Sequence, residues 1–197
     1  MITELIYTTR TVRRFQEDRP LGQALLAGLV DLARVGGSAR NAQVLKYLII
    51  TDPGLRQALF PLLGWAGYLR DWPGPALGER PAAYIACLLE KNLLKGAETE
   101  AYCDLGIATQ NMLLGAAAQG VLGCRIGAFS PHAHRLLGLD DRYAVLLVVA
   151  LGYPAETVML EEMGVDQDVR YWRDGQSGHH VPKRRLDQIL MEPPESL

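Results

Sequence analysis

Charge of one sign is missing from this chain: 20 Lys and Arg stand against 22 Asp and Glu, for a formal net charge of -2. Such a balance creates no field for DNA, RNA or an anionic membrane, so neither nucleic acid nor membrane is expected as a partner. Any basic site must be local. Cysteine is scarce as well. Cys87, Cys103 and Cys124 are an odd count with no C-x-x-C pair, which excludes a disulfide or zinc framework and points to reduced thiols in a cytoplasmic protein. Cys87 and Cys103 lie in or beside apolar segments and are expected to be buried. Long apolar runs are absent too. "AVLLVVALG" and "MLLGAAAQGVLG" fall short of the ~18 residues of a membrane span, and "MITELIYTTR" lacks the charged-then-apolar order of an export signal.

Missing motifs narrow the chemistry. No G-x-G-x-x-G follows a strand, so no ordinary dinucleotide fold is indicated. "GAAAQGVLG" lacks the Gly-Lys-Ser/Thr ending of a phosphate loop, and its glycines fall where a helix ends. There is no G-x-S-x-G and no Cys-His pairing for a nucleophile. His179 and His180 are adjacent, so on an extended chain they point opposite ways; His132 and His134 are no better placed, and no metal site is expected. No catalytic side chain is assigned. A bound cofactor would have to carry the reaction.

What is present reads as one α+β domain with a central sheet over its 197 residues, 49% of them apolar. Leu21 to Ala33 forms an amphipathic helix closed by Gly36-Gly37, and Val44 to Ile50 a buried strand ended by Asp52-Pro53-Gly54. A short helix over Leu55 to Leu63 leads to a Gly- and Pro-rich loop, Gly64 to Pro81, carrying Trp65, Tyr68 and Trp72. Ala82 to Leu89 is a strand. Glu98 to Gln119 is the longest helix, with Glu98, Glu100 and Asp104 near its start and an apolar, Ala- and Gly-rich remainder that a partner subunit could cover. Val121 to Phe129 and "YAVLLVVALGYP" are strands, separated by a short helix after Ser130-Pro131. The tail, residues 155–197, has little periodicity and reads as an extension that wraps another surface.

Two polar clusters stand out. Ser38, Arg40, Asn41 and Gln43 crowd the mouth of the first strand, where a plain helix-to-strand connection would need only the glycines. Something polar is held there. Arg10, Thr11 and Arg13 in "TRTVRRF" offer two guanidinium forks and a hydroxyl, a set suited to a phosphate dianion; on a helical turn Arg10 and Arg13 would face the same way. Lys183-Arg184-Arg185 could close on the same phosphate from the other end of the chain.

These pieces, in this order, resemble the nitroreductase family of FMN-dependent oxidoreductases. "TRTVRRF" is similar to the family's Arg-Ser/Thr-x-Arg-x-Phe opening and "SARNAQVLKYLIITD" to its Ser-x-x-Asn-x-Gln segment before a strand. "DLGIATQNMLLGAAAQGVLGCRIGAF" is similar to its long helix running into Gly-Leu-Gly-x-x-x-Ile-Gly, and "LLVVALGYPAE" to its late strand ending in Gly-Tyr-Pro. The resemblance implies a mostly antiparallel sheet flanked by helices and an intertwined homodimer, with the tail on the partner and FMN at the interface. Ser38, Arg40, Asn41 and Gln43 would meet the flavin's pyrimidine edge and ribityl chain. Arg10, Thr11, Arg13, Lys183 and Arg184 would hold its phosphate, and the backbone around Gly123, Ile126 and Gly127 would line the ring. NADH or NADPH would supply hydride, and a small electron-poor aromatic or quinone would accept electrons. Other redox chemistry on the same fold, or an FMN-binding module without catalysis, are the alternatives. Thr9, Gly37 and Val44 depart from the family pattern, which commonly has Arg, Pro and Pro there.

Overall fold

A strand that is apolar at every position but its last must be covered on both faces, and residues Ala83–Glu90 (β2) form such a strand in the computed structural model, which describes residues 1–176 and 178–193. Strand alternation sorts its side chains into two layers. Ile85, Cys87 and Leu89 pack with Leu26 and Leu29 of α2 (Gln23–Arg34) and with Met112 and Ala116 of α4 (Glu98–Ala117). Tyr84, Ala86 and Leu88 pack on the other side with Val12, Phe15, Leu59 of α3 (Pro53–Leu59) and Ala133 of α5 (His132–Leu136). The core therefore sits on both faces of one sheet.

That sheet is antiparallel throughout, in the order β1 (Leu45–Ile50), β2, β4 (Tyr143–Gly152), β3 (Leu122–Ile126). The α+β reading and the central antiparallel sheet hold. Helix α1 (Ile2–Thr8) precedes everything else. Helix α3 starts two residues before the expected Leu55, because Asp52 caps it by accepting from Leu55 N at 2.7 Å and Pro53 sits at its first position. Among the described residues no helix is long and apolar enough to cross a membrane.

Three readings change in the structure. Asp104 does not serve the helix dipole: it is buried and accepts a hydrogen bond from Ala39 N at 2.9 Å. Cys103 is exposed, unlike Cys87 and Cys124, because it shares the outer face of α4 with Tyr102 and Ile107. The tail, which showed no periodicity, contains a second sheet of short strands: β5 (Val158–Glu162), β6 (Trp172–Arg173) and β7 (His179–Lys183), in the order β5-β7-β6. Strands of two to five residues are too short to show a period, and β5 pairs in parallel with β7 about twenty residues away. Ser177 and residues 194–197 of the tail lie outside the described residues.

Two glycines of the β3 region carry different duties. A Cβ on Gly123 would lie 2.6 Å from the Ala150 carbonyl oxygen and 2.9 Å from side chains of Leu113 and Leu151, whereas one on Gly127 would meet only Leu147, at 3.8 Å. Gly123→Ala should therefore cost about 1–3 kcal/mol through overpacking, and Gly127→Ala should stay within about 0.5 kcal/mol of the parent. Urea unfolding of both variants measures this; equal losses would show that packing does not select Gly123.

Candidate functional site

Helix α1 stops at Thr8, and the next residues run as extended chain along the edge of β3. Thr11 bridges Gly123 in parallel, Val12 N donates to Gly123 O at 3.2 Å, and Phe15 N donates to Glu79 O at 2.9 Å. Burial of Val12 and Phe15 fixes this path. Arg10 and Arg13 therefore do not share a helical turn, and their side chains part. Arg10 donates back to Ile6 O at 2.6 Å. Arg13 turns to the tail, where its Nη1 lies 3.2 Å from His179 Nε2 and its guanidinium 4.8 Å from the Tyr171 ring centre. Among the described residues the Nε of each is buried without a hydrogen-bond partner. Thr11 is exposed beside them.

Sequence reasoning passed over the residue that organises this corner. Glu156 follows Gly-Tyr-Pro and its side chain is fully buried. Its Oε1 accepts from Arg13 N at 2.5 Å and Arg14 N at 3.1 Å, while Oε2 accepts from Arg173 Nη2 at 2.8 Å. One carboxylate thus joins the N-terminal segment, the end of β4 and β6. Arg173 stacks 4.0 Å from the Trp72 ring centre. Tyr68 packs on Tyr171 at 5.0 Å, and Tyr171 on His179 at 5.2 Å. Tyr68 and Trp72 thus dock on the tail, while Trp65 packs on Phe60 at 5.5 Å. The run Tyr171-Trp172-Arg173 was the available signal: two aromatics and a guanidinium together in an otherwise polar tail. Lys183 and Arg184 are exposed and are not gathered to Arg10 and Arg13. Strand β7 carries Lys183 away from His179, to pair opposite Glu162.

The second cluster has its own signature. Arg40, Asn41 and Gln43 have φ of 51°, 52° and 48°, a left-handed conformation that side chains other than Gly rarely adopt and that collects at ligand sites. The loop is held from both sides. Ser38 Oγ accepts from Gln43 N at 2.9 Å, Asp104 accepts from Ala39 N at 2.9 Å, and Arg40 pairs with Glu100 of α4. Beside it opens a cavity of about 350 Å³, lined in part by Ser38, Gln43, Tyr47, Asp104 and Ala108. Burial raises the Tyr47 hydroxyl well above its ordinary pKa, with Cys87 and Asp104 adding to the shift, so it enters this cavity as a neutral group.

The two clusters lie at opposite corners of the sheet. Arg10 to Arg13 flank β3 at the row of Gly123 and Leu151, whereas Ser38 to Gln43 precede β1 at the row of Leu45, Leu89 and Ala144. β1 and β3 are the two edges. Three strand spacings across and seven residues along place the corners roughly 25 Å apart. Ile126 and Gly127 fall between these rows, Ile126 buried and Gly127 exposed.

The histidine pair links the tail to pH. As expected of neighbours on a strand, the two face opposite ways. His179 is buried; Arg13 donates to its Nε2, so the proton sits on Nδ1, which finds no acceptor among the described residues. Burial, with Arg13 and Arg173 nearby, lowers its pKa to about 4. His180 has both nitrogens engaged, Nε2 at 3.1 Å from Asp174 Oδ2 and Nδ1 at 2.5 Å from Glu161 Oε1, with Trp172 stacked at 3.8 Å. Those bonds to Asp174 and Glu161 raise its pKa. The signs are opposite. His180 contributes stability that is complete below about pH 6.5 and is lost as pH rises through its raised folded value. His179 withdraws stability as pH falls from about 6.5 toward 4. Melting temperature against pH should fall on both sides. His179→Phe should flatten the acid decline, and His180→Asn the alkaline decline together with the part below about pH 4 that Asp174 owes to its bond with His180. Identical profiles for both variants and the parent would contradict this.

The chain belongs to the nitroreductase family: the profile of that family matches residues 6–153. It is 26% identical over 159 residues to a protein of Archaeoglobus fulgidus provisionally named an NADH dehydrogenase/NAD(P)H nitroreductase, spanning 78% of this chain and 85% of that one. It is 28% identical to Protein DrgA of Synechocystis, over 78% of this chain and 84% of that protein. Among solved structures, a provisionally named nitroreductase of Desulfovibrio desulfuricans, in complex with FMN, superposes with a TM-score of 0.69 at 20% identity, over 99% of this chain and 98% of its own. A nitroreductase family protein of Streptococcus pneumoniae gives 0.70 at 14% identity, over 98% and 100%. Both superpositions run through the tail as well as the family core.

Proposed function

We propose that the protein is an FMN-dependent oxidoreductase that takes hydride from NADH or NADPH, reduces a small electron-poor acceptor of nitroaromatic or quinone type, and builds each site from two copies of the chain. The observation that carries this reading is the separation of the two clusters. Roughly 25 Å between the backbones of the two corners sets the clusters at opposite ends of the sheet, which favours a site that takes one corner from each of two chains. A two-fold partner allows this, since a two-fold axis sets the Arg10 corner of one copy against the Ser38 corner of the other.

The residues fit the cofactor. Arg10 Nε and Arg13 Nε are buried donors without acceptors, and phosphate oxygens are strong acceptors for such forks. Gly127 leaves open the space where a side chain would stand. In this reading Arg10, Thr11 and Arg13 hold the phosphate, with Lys183 and Arg184 from a tail. Ser38, Asn41 and Gln43 of the other copy meet the pyrimidine edge and ribityl chain. Arg40 joins them only by leaving Glu100. The backbone at Gly123, Ile126 and Gly127 lines the ring.

FMN supplies the two-electron chemistry when bound. The chain's part is to orient the ring, exclude water, and present donors where negative charge develops. No side-chain acid or base is assigned to the hydride step. The uncovered apolar residues support a partner: Tyr102 and Ile107 on α4, Leu32 and Val35 on α2, and Leu186, Ile189, Leu190 and Met191 at the tail's end are all exposed. The name of the A. fulgidus relative supports a nicotinamide nucleotide as donor, and the FMN complex of the D. desulfuricans protein supports the cofactor.

Light scattering and absorbance of the purified protein test this reading: a yellow dimer, bleached anaerobically by NADH or NADPH, is expected. Arg10→Ala should weaken FMN binding at least about 30-fold, since stripping a desolvated charge of its partner costs about 2–5 kcal/mol. Asn41→Leu should lose less affinity but shift the flavin's potential and slow its reduction. A colourless monomer that ignores added FMN would refute the reading.

A further inference from the structure

Positive charge near Glu156 exceeds what one flavin phosphate would use. Arg14, Arg70, Arg170 and Arg173, with Tyr68 and Trp72, line a groove of about 780 Å³ between the aromatic loop and the tail. Arg10 and Arg13 do not line it. Against four guanidiniums it offers Asp71 and Asp174, and Asp174 is already bound to His180. The guanidiniums themselves are poorly satisfied. Arg173 gives one N–H to Glu156, but its Nε and Nη1 are buried with no acceptor among the described residues. Arg14 Nε lies 3.3 Å from Glu79 yet makes no hydrogen bond. Among the described residues Arg70 forms no ion pair, and Arg170 pairs only with exposed Asp168.

Desolvated guanidiniums without acceptors are costly, and an anion is what relieves them. Arginine forks suit phosphate oxygens, and Tyr68, half exposed although packed on Tyr171, offers aromatic surface to a planar ring. Phosphates joined to a planar ring make a nucleotide. Number and placement of the arginines go further. Arg14 and Arg173 are mostly buried, as suits contacts to a held diphosphate, whereas Arg70 and Arg170 in the same lining are exposed and free to reach a more peripheral phosphomonoester. Arg14 follows Arg13 directly, so the groove adjoins the corner assigned to the flavin phosphate.

We infer that this groove binds the adenosine-phosphate half of the nucleotide donor and, through Arg70 and Arg170, favours the 2′-phosphorylated form, NADPH, over NADH. The identity of the ligand as an electron donor rests on the proposed redox function; binding of a nucleotide by the groove does not.

Calorimetry separates these two points. The full-length protein, with FMN supplied, is titrated with adenosine 2′,5′-bisphosphate and with 5′-AMP, and so is the Arg70→Ala/Arg170→Ala variant. Both replaced residues are exposed, so the melting temperature should not change. The bisphosphate should bind at least about ten-fold more tightly than AMP, as gain of a charge-assisted contact gives, and the double variant should lose that advantage. In turnover, the kcat/KM ratio of NADPH to NADH should fall by about ten-fold in the variant with the NADH value unchanged. Equal binding of the two probes by the parent, or an advantage that survives in the variant, would overturn the inference. Failure of both nucleotides to reduce the protein would overturn the redox reading, while the calorimetry would still decide the groove.

Discussion

An antiparallel sheet fixes the distance between its own corners, and in this chain that distance governs everything polar. Strands β2 and β4 are buried on both faces, so helices must lie above and below and ligands are left the edges. The edge at β3 carries the N-terminal arginines and the edge at β1 carries the strained loop, at diagonal ends of the strands. Neither cluster is complete by itself. The N-terminal corner has buried donors without acceptors, and the loop holds three left-handed residues against a cavity that its own chain leaves open. The composite site proposed between two copies would resolve both with one symmetry operation.

The tail adds a second level of organisation. Glu156 accepts from the backbone amides of Arg13 and Arg14 and pairs with the Arg173 guanidinium, so it ties two distant segments together, and parting them would orphan a buried charge. The aromatic loop then closes on the tail through Tyr68, Tyr171 and Trp72. Arg13 donates to His179 Nε2, so protonation of that nitrogen would cost the contact between the N-terminal segment and the tail sheet.

Much of the frame was legible in the residues. Helices α2 and α4 and strands β1, β2 and β4 announce themselves by period and by apolar runs long enough to measure. Ser38 to Gln43 stood out in the sequence because four hydrogen-bonding side chains exceed what a connection needs, and in the structure three of its residues take a left-handed backbone. The rest was hidden for physical reasons. Glu156 carries no signal in the sequence, because its role comes from amides and a guanidinium brought to it across the chain. Arg10 and Arg13 were read on a helical turn, but Val12 and Phe15 have to reach the core and pull the segment straight. Cys103 looked buried because its helix is apolar nearly all round, while the single chain covers only one face of it.

The central claim is that each site takes one corner from each of two chains, and subunit complementation tests it most directly. Arg10→Ala and Asn41→Leu/Gln43→Leu chains, each too weak to retain FMN at a chosen low concentration, are mixed in equal amounts, unfolded and refolded together. If the corners come from different chains, half of the dimers are mixed and each mixed dimer has one intact site. FMN bound should then recover to about a quarter of the sites, as random two-fold pairing gives. If one chain supplied both corners, every site would carry a substitution. Binding would then stay at the level of the separate variants, which would contradict the account.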